Sequence, residues 1–248
     1  MNVTSYKTKK VNVGDRLEKI LDEYLPKKLK EKSVIAVTSK IVAICEGRIV
    51  KMESEEQRDI LAKKEAEAYL PREYNQYGFM ITINNGIMVA SAGIDASNGN
   101  GYYILWPENP QKSANEIRSY LVKKHKVKNI GVIITDSKLT PLRWGVTGVA
   151  IAHSGFSALK NYIGTPDIFG RIMQAEKSNI ADSLATSAVI EMGEGNEQKP
   201  LAVIEDINFV KFQKRNPTKK ELESEKISIG DDVFSSLLTS VNWQKGKS

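Results

Sequence analysis

Residues 129–136 read Asn-Ile-Gly-Val-Ile-Ile-Thr-Asp. The stretch is apolar from Ile130 to Ile134 and rich in β-branched side chains, which predicts a buried strand that ends at Asp136. A carboxylate at a strand end sits where backbone carbonyls and hydroxyls such as Thr135 and Ser137 are also available. Downstream, Gly145 to Ala152 reads as a small-residue strand or close-packed segment. Upstream, Ser113 with Glu116 reads as a capping box for a helix whose inner face carries Ile117 and Leu121.

Further out, Ser33 to Val42 (SVIAVTSKIV) predicts a buried strand running into a turn, and Val3 to Val11 a short strand. Asp15 is placed to cap a helix carrying Leu17, Ile20, Leu21, Tyr24 and Leu25. Ser54 to Gln57 reads as another capping box, opening a helix that ends near Leu70-Pro71. Phe79 to Ile83 and Ile87 to Ala92 flank Asn85-Gly86, a hairpin signal. Ser178 or Asn179 caps a helix with Ile180, Leu184 and Val189 inside and Gly193 at its end, and Leu201 to Ile204 is a further strand. Strands and helices intermix, so the expected class is α+β, with mixed sheets and packed helices. The expected organisation is a catalytic domain over 1–215 and a charged tail over 216–248 ending in a short helix around Val233, Leu237 and Leu238.

The 248 residues are 41% hydrophobic and 27% charged, which is globular rather than disordered composition. A single cysteine, Cys45, forms no internal disulfide and reads as a small buried residue. Two histidines (His125 and His153) and one cysteine are too few for a Cys/His zinc site. Any metal must be held mainly by oxygen ligands, which points to Mg²⁺ or Mn²⁺ rather than Zn²⁺. The opening MNVTSYKTKK lacks an apolar leader core, and no later run approaches the roughly 18 apolar residues of a membrane span. The expectation is a cytoplasmic protein without a membrane partner.

The net charge of +6 raises the possibility of nucleic-acid binding. However, the basic runs Lys7 to Lys10, Lys27 to Lys32 and Lys123 to Lys128 lack interleaved aromatics and read as solvated faces. Gly99-Asn100-Gly101 lacks the third glycine of a dinucleotide fingerprint, and Gly246-Lys247-Ser248 lacks the first glycine of a P-loop, Val241 standing in its place. Ser157 to Lys160 matches S-x-x-K without its companion motifs.

Three polar clusters follow apolar runs: Gly93 to Asn98, Thr135 to Ser137, and Met192 to Glu197. Their carboxylates Asp95, Asp136 and Glu194 are of the type that holds two divalent ions against nucleotide phosphates. Gly193 and Gly195 allow close backbone approach to a phosphate. Each cluster taken alone also reads as an Asx turn or a helix cap.

At these clusters the chain resembles the coenzyme F420-0:γ-glutamyl ligase family. The matching stretches are SKIVAICEGR (39–48), GIDASN (93–98), ITDSKLTPLRWG (134–145), GTPDIFGR (164–171), NIADSLATSAVIEMGEG (179–195) and PLAVIED (200–206). The resemblance implies that L-glutamate is joined to a carboxylate acceptor using GTP and two Mg²⁺ or Mn²⁺ ions. Potassium is implied as a further activator. It also implies an acyl phosphate intermediate and an intertwined α+β homodimer. Asp95 and Asp136 would share one metal, and Ser137 and Glu194 would hold the second. Ser39, Lys40, Asn98 and the segment Met192 to Lys199, with Gly193, Gly195 and Asn196, would contact the nucleotide, as would Thr8 to Val11.

The departures are Ile44 where the family usually has a second lysine, Leu139-Thr140 for Gly-Arg, Val146 and Gly148 for Gln and Asp, and Glu194 for a common Gln. They leave open a different, folate-like acceptor. Lys40 reads as a phosphate contact or a solvated turn lysine. Arg143 reads as a catalytic contact to acceptor carboxylate or γ-phosphate, or as a salt bridge to Asp167. Asp182 suits a helix's first turn and His153 a packed core. Rival functions are a metal-dependent nucleotide hydrolase or phosphotransferase, and a non-catalytic basic nucleic-acid binder.

Overall fold

The computed structural model describes residues 1–247; Ser248, the last residue of the expected tail and of the Gly246-Lys247-Ser248 run, lies outside the described residues. The first half of the chain forms β1 (Asn2–Tyr6), α1 (Leu17–Tyr24), β2 (Ser33–Thr38), α2 (Ser39–Cys45), β3 (Ile49–Lys51), α3 (Glu55–Glu65), β4 (Ala68–Leu70), β5 (Ile81–Asn84), β6 (Ile87–Ala90) and β7 (Tyr102–Ile104). The second half forms α4 (Pro110–His125), β8 (Ile130–Leu139), β9 (Val146–Ser154), β10 (Leu159–Asn161), β11 (Lys177–Asn179), α5 (Ile180–Met192), β12 (Leu201–Glu205), α6 (Lys219–Glu223), α7 (Ser235–Leu238) and β13 (Gln244–Lys245). The class is α+β with mixed sheets, as expected. No helix among the described residues is long and apolar enough to cross a membrane.

The main sheet has the order β1-β12-β2-β8-β9, with β2 and β8 parallel and the other neighbours antiparallel. Both faces of its centre are covered, which explains why its strands read as continuous apolar runs. Ile35, Val37, Val132 and Ile134 enter a core shared with α1, α2 and α4. Val34, Ala36 and Ile133 enter a second core under α5 and Phe156. The two-residue period of a strand sends alternate side chains to opposite faces, so one sequence run feeds two cores. Gly131 lies on the α5 side, where a Cβ would come within 2.7 Å of the Phe156 ring and 2.9 Å of Val34. A smaller sheet, β13-β4-β5-β6, packs with α3 around Ala62, Met80, Ile94 and Leu105.

Several element boundaries differ from the sequence reading, each for a local reason. β8 continues through Asp136 to Leu139 because β9 keeps pairing with it. The Ser33–Val42 run is a strand only to Thr38, after which Ser39 starts α2. β1 ends at Tyr6, and Thr8 then bonds through its backbone N–H to Gln198 outside the sheet. Asp15 does not cap α1. Its carboxylate accepts from the Asn12 N–H and pairs with Lys9 at 2.6 Å. Ser113 lies inside α4, whose cap is Asn109 followed by Pro110, a proline placed where no amide donor is needed. Ser54 does cap α3 by accepting from the Gln57 N–H, but the helix stops at Glu65 and the chain turns into β4. Asn179 caps α5 and Gly193 ends it, as read.

Residues beyond 215 fold back on the body. Glu225 Oε1 meets buried His153 Nε2 at 2.8 Å, Lys226 donates to Asn85 at 3.0 Å, and β13 pairs with β4. Gly131→Ala forces the added methyl against Phe156. It is expected to cost about 1–3 kcal/mol in urea unfolding, with partial recovery when Phe156 is shortened to Leu.

Candidate active site

β2 and β8 run side by side and reach Thr38 and Thr135 in register. At the carboxyl ends of parallel strands the chain leaves the ladder, and the residues there border a crevice. A cavity of about 1100 Å³ opens at this place. It is bordered from β2 and α2 by Ser39 and Lys40, from β8 by Asp136 and Ser137, and from the end of α5 by Met192 to Pro200.

Asp136 reaches the cavity because β8 outruns β2. Beyond Thr135 it pairs only with β9, and between Ile134 and Thr135 the register skips one residue of β9. The extra residue, Ile151, bulges β9, while β8 keeps its alternation. Two residues after Ile134, Asp136 shares its face of the sheet, where the apolar core gives way to the cavity. Its Oδ1 accepts the Ser137 backbone N–H at 2.8 Å, and its Oδ2 accepts the Trp106 indole N–H. Burial pushes its carboxyl up to about 6, and the nearby charge of Asp95 adds to this against the two hydrogen bonds and the charge of Lys40.

Asp95 arrives from the smaller sheet. After β6 three successive residues, Ser91, Ala92 and Gly93, take φ of 46°, 56° and 78°. This left-handed turn is costly for the two non-glycine residues and is held by its surroundings. Asp95 then exchanges two backbone hydrogen bonds with Ile104, of 3.0 and 2.8 Å. Its carboxylate accepts from Ser97 N–H at 2.6 Å, from Ser97 Oγ at 2.8 Å and from Lys40 Nζ at 2.7 Å. Burial raises its pKa, but the Lys40 hydrogen bond and charge, with the Ser97 bonds, outweigh it and hold the carboxyl below its ordinary value. Lys40 is therefore no solvated turn residue.

The third cluster meets the others. Ser137 Oγ donates to Glu194 Oε1 at 2.6 Å, and Asn98 Nδ2 donates to the Gly195 carbonyl at 3.0 Å. The Thr8 to Val11 segment, Asn196 and Lys199 also border the cavity. The structure thus brings together Ser39, Lys40, Asp95, Asn98, Asp136, Ser137, Met192, Gly193, Glu194, Gly195, Asn196 and Lys199. It does not bring Arg143 there. Arg143 stands exposed on the β8–β9 turn between Leu142 and Trp144. The alternative salt bridge to Asp167 is also absent among the described residues, because that carboxylate accepts from the backbone of Phe169 and Arg171.

The carboxylates share a cavity without closing a cage. Among the described residues no three acidic, His or Cys side chains converge as a ready metal site. Asp95 is engaged by Lys40 and Glu194 by Ser137. The donor chemistry nonetheless fits a hard cation, since the cavity offers carboxylate and hydroxyl oxygens and no His or Cys. The glycine-rich turn holds an anion of its own: Glu197 Oε2 accepts the Gly195 N–H at 2.8 Å and lies over Gly193. Glu197 was read only as part of the Met192 to Lys199 segment, and Lys138 and Trp106 were not singled out from the sequence. Nothing in their local pattern separates them from ordinary surface or core residues.

The profile of the family described as F420-0:Gamma-glutamyl ligase matches residues 5–206. The chain belongs to this family. It is 31% identical over 217 residues to the coenzyme F420:L-glutamate ligase of Methanosarcina mazei, covering 80% of this chain and 83% of the relative. The Methanopyrus kandleri enzyme of the same name is 34% identical over 211 residues, covering 79% and 82%. That of Archaeoglobus fulgidus is 32% identical over 212 residues, covering 80% and 84%. Membership in the γ-glutamyl ligase family supports an enzyme that joins glutamate to an acceptor. All the residues gathered around the cavity fall within the matched segment.

A carboxyl whose folded pKa lies above its ordinary value destabilises the fold once it ionises. The penalty is absent below about pH 4, grows as pH rises towards 6 and is complete above that. In chelator-treated protein Asp136→Asn should therefore melt higher than the wild type at about pH 8, with the gain vanishing near pH 4. An equal gain at both pH values would show that ionisation of Asp136 is not the cause.

Proposed function

We propose that this chain is a GTP- and divalent-metal-dependent γ-glutamyl ligase acting on a carboxylate acceptor, coenzyme F420-0 or a related, folate-like molecule. The observation that carries the proposal is the meeting of Asp95, Asp136, Ser137, Glu194 and Lys40 at one cavity, in a member of this family. Asp95 and Asp136 are assigned to one Mg²⁺ or Mn²⁺ ion, Ser137 and Glu194 to a second, with K⁺ as an activator. When bound, such ions neutralise charge between phosphates and carboxylates.

The chain's own groups bind and orient. Lys40 and Lys199 offset the charge of the nucleotide phosphates, Ser39, Asn98 and the Met192 to Lys199 turn contact the nucleotide, and Glu197 gives way where a phosphate enters the turn. The γ-phosphoryl group passes from GTP to an acceptor carboxylate oxygen, giving GDP and an acyl phosphate. The glutamate amine then attacks the acyl carbon, the bond to phosphate oxygen breaks, and an amide, phosphate and a proton are released. Ile44, Phe79, Leu139 and Val146 give the cavity lining an apolar component suited to the ring of such an acceptor.

A homodimer is part of the proposal. Leu142, Trp144, Ile168 and Phe169 are 89–103% exposed on two projecting turns, and apolar surface of this kind calls for a partner. Arg143, carried on one of those turns, is assigned to the cavity of a second copy.

With GTP, Mn²⁺, K⁺, L-glutamate and candidate acceptors, GDP release should require both co-substrates and yield a product one glutamyl unit heavier. Release that ignores them would favour the hydrolase reading, and salt-sensitive oligonucleotide binding without turnover the nucleic-acid reading. Asp136→Asn should lose turnover while remaining folded; near-normal activity would sink the metal assignment. Co-expressed Asp136→Asn and Arg143→Ala chains should regain about a quarter of wild-type activity, because about half the dimers are mixed and each of those holds one intact site. Failure to regain any would exclude action of Arg143 across the dimer.

A further inference from the structure

We infer that Trp106 is a positioning residue of this site: its indole N–H holds one oxygen of the Asp136 carboxylate and thereby sets the direction in which the carboxylate faces the cavity. The inference rests on the reading of Asp136 as a cation-holding group.

Trp106 is 3% exposed and packs in the core shared with α1, α2 and α4. An indole can only donate, and a buried donor needs an acceptor. Among the described residues its Nε1 donates to Asp136 Oδ2. With Ser137 N–H on Oδ1, both oxygens are tied, which fixes the plane of the carboxylate and leaves its remaining lone pairs for the cavity.

The backbone at Trp106 is anchored to Arg48, and the ring abuts Gly93. The Trp106 carbonyl accepts Arg48 Nε at 3.2 Å, and Arg48 is in turn anchored by Glu65 Oε2 at 2.6 Å. The Leu105 N–H reaches the Arg48 carbonyl at 3.0 Å. On the far side the main chain of Gly93 lies against the ring. A Cβ there would stand 2.1 Å from Nε1 and 2.4 Å from Cε2, so only glycine permits this approach, and its φ of +78° demands glycine as well.

The same stretch, Ile104 to Trp106, pins the backbone of Asp95 through the paired bonds to Ile104. Asp136 of the main sheet and Asp95, beyond the end of β6, are thus registered against one short segment. Outer groups that orient cation-holding side chains are typically worth ~10–100-fold in metal affinity or activity. An indole suits the task because it does not titrate and keeps donating at every pH at which the enzyme folds.

Two measurements test this. The first uses metal-free protein with Trp106 intact, so it does not depend on a substitution in the core. The indole ¹H–¹⁵N resonance that remains in Trp144→Phe/Trp243→Phe protein belongs to Trp106. It should lie downfield and shift upfield on Asp136→Asn, since a neutral acceptor makes the weaker bond. An unchanged resonance overturns the inference.

The second titrates Mn²⁺ alone into Trp106→Phe by calorimetry. Affinity should fall ~10–100-fold, with turnover recovered at high Mn²⁺ and KM for glutamate unchanged. Wild-type affinity, or an activity loss that Mn²⁺ does not restore, would assign Trp106 a packing role only and overturn the inference. If the wild type itself binds no Mn²⁺, the metal reading of the site fails, and the indole resonance still decides whether Trp106 holds Asp136.

Discussion

The parallel pairing of β2 with β8, buried on both faces, is the constraint on which the rest of the molecule depends. A parallel pair needs a long crossover, and here that crossover, residues 39–129, contains α2, α3, α4 and the β4–β6 portion of the smaller sheet. Covering both faces requires α1, α2 and α4 on one side and α5 on the other. Their pairing ends at Thr38 and Thr135, so the start of α2 and the continuation of β8 that carries Asp136 border the same crevice. The smaller sheet supplies the remaining acid, Asp95, from within the crossover.

Within the crevice, the pKa values of neighbouring carboxylates are shifted in opposite directions. Lys40 and Ser97 stabilise ionised Asp95, whereas Asp136 is raised by burial and by the charge of Asp95. Two such acids near each other resist joint ionisation until a cation arrives. Under the proposed function, a divalent ion bound between them would relieve that repulsion. The fold tolerates this because two continuous apolar cores lie directly beneath.

The sequence showed this architecture unevenly. Runs such as Val34 to Val37 and Ile130 to Ile134 were legible as buried strands, because burial on both faces leaves no polar position to confuse the pattern. Asn85-Gly86, Asn179 and Gly193 were legible because turn and cap chemistry is local. The continuation of β8 past Asp136 was not, since a polar strand end paired to β9 looks like a loop. Asn109 was missed in favour of Ser113 because two cap signals compete within five residues. Trp106 gave no signal, for its partner Asp136 lies thirty residues away in the chain.

By itself the sequence determined the composition of the chemistry: oxygen donors rather than thiolates or imidazoles, two buried central strands, and polar clusters behind apolar runs that match one ligase family. What it left open was whether those clusters meet, because spacing along a chain carries no distance through space. Only the tertiary structure decided that Asp95, Asp136 and Glu194 border one cavity and that Lys40 belongs to it. It also decided that Arg143 stands outside the cavity of its own chain and that a tryptophan from the crossover donates a hydrogen bond to Asp136. Those outcomes depend on strand register and one close glycine approach, which exist only once the sheets are packed.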